Sequence, residues 1–143
     1  MRVRWGRAVL AGLAIVALAS ACEEAARIGE EIRGRVDGAI EAASDALAEA
    51  DDAIAGVTRP IFHDVRDGVQ AIQEDLENAA DLAGEEAQQA YEELERRAGE
   101  LREDAADAVS QADDDAREAW EQVRAALAEL EDRIRTAADE LAG

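Results

Sequence analysis

The chain has 143 residues, 35 acidic against 15 basic side chains, a formal charge of −20 at pH 7 and one cysteine. That acidity excludes the basic footprint a phosphate backbone requires, and so argues against nucleic acid as a partner. A single thiol excludes both a disulfide framework and a cysteine-based metal site, and every basic residue is arginine.

The first 22 residues have their own pattern. Arg2, Arg4 and Arg7 precede an apolar run from Ala8 to Ala19; Ser20 and Ala21 follow, then Cys22 and the acids Glu23 and Glu24. A charged n-region, a short h-region and a small-residue processing site stand in the order of a secretory signal. The apolar run is too short and too alanine-rich for a bilayer span, which needs about 20 apolar residues. No two arginines are adjacent, so a twin-arginine signal is disfavoured.

The segment Leu18-Ala19-Ser20-Ala21-Cys22 resembles the lipobox of bacterial lipoproteins. It departs from the commonest form in having Ala19, rather than leucine, three residues before the cysteine. The resemblance implies that a diacylglycerol group joins the Cys22 thiol and that a peptidase cuts between Ala21 and Cys22. Residues 1–21 are then a cleaved signal peptide. Residues 22–143 are an exported acidic domain, held on the outer face of the cytoplasmic membrane or on an outer membrane by its acylated cysteine. No other cofactor is implied.

Beyond residue 22 the dominant signal is helical periodicity; β-branched and aromatic residues never alternate over a useful run. The first block holds Ile28, Ile32 and Val36, then Ile40, Ala43, Leu47, Ala50, Ile54 and Val57. A break follows near 56–60, where Gly56 suits a helix C′ position, Thr58 an N-cap and Pro60 a first helical turn. Asp64 then lies near the new N-terminus, favourable to its dipole. The next stripe is Phe62, Val65, Val69, Ile72 and Leu76.

Between Ala83 and Ala119 the stripe weakens to Tyr91, Leu94, Leu101 and Val109 among alanines, with stutters near Ala83–Ala87 and Ala112–Ala116. Gly84 and Gly99 are weaker breaks that a helix can read through at about 1 kcal/mol each. Asp113-Asp114-Asp115 either caps a new helix or forms an exposed face. The last stripe is Trp120, Val123, Leu127, Leu130, Ile134, Ala137 and Leu141. These 3-4 spacings predict an all-α protein, with long amphipathic helices forming a helical hairpin, three-helix bundle or coiled coil.

Charge spacing agrees with helix. Glu23/Arg27, Glu31/Arg35, Glu92/Arg96, Glu93/Arg97, Asp113/Arg117, Glu129/Arg133 and Glu131/Arg135 all place an acid four residues before an arginine, the favourable orientation.

No catalytic constellation is present. His63 is the lone histidine; with Asp64 and Asp67 it has the ligand types of a weak metal site, but a polar helix start explains it and no metal is assigned. Ser110 has no histidine near it in sequence, which leaves a Ser-His-Asp triad without support. The Asp113–Asp115 run lacks the glycine turn and ligand spacing of an EF-hand loop. Tyr91 and Trp120 lie on the apolar stripe, as core residues do; as aromatics they are also the candidate partner contacts.

Two functional classes follow. The first is a structural or interaction lipoprotein without catalytic activity, associating with itself or with a protein partner. Its layout resembles that of the major murein lipoproteins, although the terminal lysine those use for wall attachment is absent from Glu140-Leu141-Ala142-Gly143. The second is an amphipathic-helix protein that associates with lipid or divalent cations, faintly similar in composition to exchangeable apolipoproteins. Acid-dominated polar faces and the single proline, Pro60, weigh against the lipid-surface form.

Overall fold

The computed structural model describes residues 29–142 of the chain. They are helical nearly throughout: α1 spans 29–50, a short 3-10 turn Gly56–Thr58, α2 Arg59–Ala79, α3 Gly84–Gln111 and α4 Asp114–Ala142. Contacts divide the chain at Ile32/Arg33, and residues 33–143 form one compact unit.

Within that unit the helices run alternately up and down. Asp75 pairs with Arg97, and Gly68 lies against Leu101, so α2 and α3 are antiparallel. Arg102 to Glu131 and Arg135 to Glu95 give α3 and α4 the same relation. Phe62, at the start of α2, packs on Trp120, at the start of α4, so these two helices are parallel. Arg35 of α1 reaches Glu140 at the far end of α4. The result is an up-down-up-down four-helix arrangement, whose short connections suit antiparallel neighbours.

The core is the set of stripes read from the sequence. Val36, Ile40 and Leu47 of α1, Phe62, Val65, Val69, Ile72 and Leu76 of α2, and Trp120, Val123, Leu127, Leu130 and Ile134 of α4 are all buried. On α3 large and small residues alternate, with Tyr91, Leu94 and Leu101 among Ala87, Ala98, Ala105 and Ala108. Small side chains there draw the neighbouring helices close rather than adding much apolar area. No helix among the described residues is long and apolar enough to cross a membrane.

The all-α packing expected from the sequence is what the structure shows. The helix count is four because both stutters are chain reversals. At the first, Ala83 is extended and Gly84 takes φ +62°, which only glycine adopts without strain. At the second, Ala112 is extended, with ψ 153°, and Asp113 caps the next helix: its Oδ1 accepts from Ala116 N at 3.0 Å. Gly99, by contrast, is read through within α3.

The break expected at 56–60 begins earlier. α1 ends at residue 50, where the Ala53 and Ile54 amides both donate to the Ala50 carbonyl. Ile54 remains buried, whereas Val57, placed on the stripe by periodicity, is 71% exposed. Thr58 occupies the N-cap position but does not cap: its hydroxyl turns back towards the Ala55 carbonyl at 3.5 Å. Arg59 closes the turn instead, pairing with Asp51 at 2.6 Å and donating to the Ile54 carbonyl at 3.2 Å.

Candidate functional site

Ala21 and Cys22, the cleavage and lipidation residues, lie outside the described residues. The two aromatic candidates lie inside the bundle. Trp120 is fully buried, edge-on to Phe62 with ring centroids 6.3 Å apart, and Tyr91 is 4% exposed. Neither ring offers a surface to a partner in this fold, because the stripe that carries both is consumed by helix packing. Burial pushes the Tyr91 phenol above its ordinary range; Arg33 opposes that shift and Asp37 adds to it. The Trp120 indole N–H has no hydrogen-bond partner.

His63 does not join Asp64 and Asp67 around a common point. Its Nδ1 lies 3.1 Å from Arg66 Nη2, in position to accept from the guanidinium, while the ring stands edge-on to Phe62 at 6.0 Å. Arg59 covers the Phe62 ring at 4.7 Å and Arg66 approaches it at 5.7 Å. The arrangement is a cation–aromatic cap over the open end of the core. Among the described residues no three His, Cys, Asp or Glu side chains are grouped to hold a metal ion.

The chain matches no known protein family, curated protein or solved structure. What the surface offers must therefore be read from its own geometry.

The main concavity lies between α3 and α4, about 520 Å³, lined by Glu92, Glu95, Arg96, Gly99, Glu100, Arg102, Glu103 and Glu131. Gly99 lets the helices close here: a Cβ on it would lie 2.8 Å from a Glu131 carboxylate oxygen. Glu131 is the most enclosed of the ion-paired acids, its side chain 15% exposed, and accepts from Arg102 at 2.7 Å and from Arg135 at 3.5 Å. Arg135 also reaches Glu95 at 2.9 Å. The carboxylates that line the floor are thus held by arginines in the helix seam. This is the chemistry of a structural strap, with no nucleophile and no acid–base pair set apart from its neighbours.

Several expected i,i+4 pairs are re-routed by packing. Glu129/Arg133 and Glu131/Arg135 form as spaced, at 2.9 and 3.5 Å. Arg97 keeps Glu93 at 3.7 Å but turns mainly to Asp75 on α2. Arg96 passes over Glu92 for Glu93 and Glu100, and that hydrogen bond holds the Glu93 carboxyl below its ordinary range. Arg117 pairs with Asp114 because the Asp113 carboxylate is engaged as the cap. Arg35 pairs across the bundle with Glu140. None of these cross-helix partners is visible in a local spacing rule.

Proposed function

We propose that this chain is a lipid-anchored extracytoplasmic protein whose helical domain has a structural or interaction role and no catalytic activity. The observation that carries the reading is the order of residues 1–24: arginines, short apolar run, small residues, Cys22, then acids. The bundle is consistent with it. Its large apolar side chains face inward, its outer faces are charged, and its acidic side chains are tied into straps rather than gathered in a cleft. The inward-facing stripes also weaken the lipid-surface alternative, which needs an apolar face turned outward. A role in binding or spacing at the membrane surface requires nothing further of such a domain.

The decisive experiment is acyl labelling. Cells fed labelled palmitate should incorporate it into the wild-type chain and not into Cys22→Ser, and the variant should leave the detergent-extracted membrane fraction. An unlabelled wild-type chain, or label that persists on the variant, removes the anchor from the proposal.

A further inference from the structure

The seam between α2 and α3 changes character from one end to the other. Near the α2–α3 turn it is closed by an ion pair, Asp75 with Arg97. Midway it is closed by contact, since Gly68 leaves room for Leu101, whose Cδ2 would lie 2.5 Å from a Cβ at that position. One further turn along, the same antiparallel register brings Asp64 of α2 alongside Asp104 of α3. The charges acting on Asp104 are Asp64 from α2 and Glu100, Glu103 and Asp107 from α3 itself. No cation is among them, and α4 supplies none of them. The Gly56–Thr58 turn, which also packs on α3, carries no ionisable side chain.

We propose that this seam is a one-ended, pH-graded latch: the Asp75–Arg97 end stays fastened at neutral pH, while the Asp64–Asp104 end is strained by like charge and fastens as the medium acidifies. The inference rests on the bundle alone and is independent of the anchor. Its sign follows from linkage. Partial desolvation, and then the charges of Asp107, Asp64, Glu100 and Glu103, hold the Asp104 carboxyl above the ordinary value of 3.8. The folded chain therefore binds this proton more readily than the unfolded chain. The contribution to stability rises as pH falls through the raised value, and the gain is complete below the ordinary one. At neutral pH the cost of the ionised carboxylate is carried in full, and it falls on the two helix ends that meet there.

The test compares full-length wild type with Asp104→Asn, Asp64→Asn, the double variant and Asp75→Asn. At pH 7, Asp104→Asn should raise the thermal midpoint by about 2–4 °C, and the gain should vanish near pH 3, where the wild-type carboxyl is itself neutral. Asp75→Asn should lower the midpoint at pH 7. The double variant should gain less than the sum of the two single variants at the acidic end, because either one relieves the same repulsion. Amide exchange at pH 7 should slow in Asp104→Asn around residues 59–68 and 101–111, and not around 70–79. The proposal is overturned by no gain at pH 7, by a gain that persists undiminished at pH 3, by additive single variants, or by protection spread evenly along both helices.

Discussion

Gly68 and Gly99 both lie inside helices, and intrinsic propensity alone predicts that alanine at either would stabilise by about 1 kcal/mol. Their surroundings separate them. A methyl group at Gly68 meets the buried Leu101, with Cδ2 at 2.5 Å, Cδ1 at 2.9 Å and Cγ at 3.2 Å, so the whole side chain must move within a packed seam. A methyl group at Gly99 meets only the carboxylate end of Glu131, which can swing while Arg102 and Arg135 follow it. Gly68→Ala should therefore be destabilising by about 1–2 kcal/mol in urea unfolding, overpacking outweighing propensity. Gly99→Ala should be neutral or slightly stabilising. Equal effects at the two sites would mean that this difference in packing does not operate.

At the scale of the element, the boundaries of the helices were only partly legible in the sequence. The stripes from Phe62 to Leu76 and from Trp120 to Ile134 could be read because each face repeats at helical spacing and is buried as a block. The reversals at 80–83 and 112–113 were visible only as stutters, since a shift of the stripe looks alike whether a helix continues or turns back. Deciding between them needed the positive φ of Gly84 and the cap from Asp113, and these are matters of backbone geometry. Thr58 misled in the opposite sense: its position suited a cap, but its hydroxyl is drawn to Ala55 and Arg59 holds the turn. The candidate site was the least legible part. Its floor depends on partners such as Glu95 and Arg135, forty residues apart, whose meeting is fixed by the α3–α4 register and not by local spacing. One boundary residue carries a direct prediction. Asp113→Ala removes the cap from α4 and should cost about 1 kcal/mol, read as a lower urea midpoint with unchanged slope; Asp113→Asn should retain most of the stability.

For the molecule as a whole, charge sets the terms. The formal charge of −20 far exceeds what the observed ion pairs balance, and most paired side chains are themselves well exposed, which limits each pair to about 0–1 kcal/mol. Net self-repulsion should therefore outweigh the pairs. Raising ionic strength from about 0.01 M to about 0.1 M shortens the screening length from about 30 Å to about 10 Å. The thermal midpoint of the bundle should rise over that range. A fall would show that the straps of Glu131, Arg102 and Arg135 contribute more than the excess acid removes.

The pairing of Arg35 with Glu140, through two hydrogen bonds of 3.1 and 3.0 Å, sets the start of the folded unit beside the end of α4. Entry and exit thus lie at one pole, and the turns at 51–58 and 112–113 lie at the other. The consequence is mechanical. A pull applied between residue 33 and residue 142 loads the interhelix contacts one after another, as in unzipping, instead of all together, as in shear. Arg35–Glu140 is the first fastening to carry the load, and the domain should yield at low force from that pole upward.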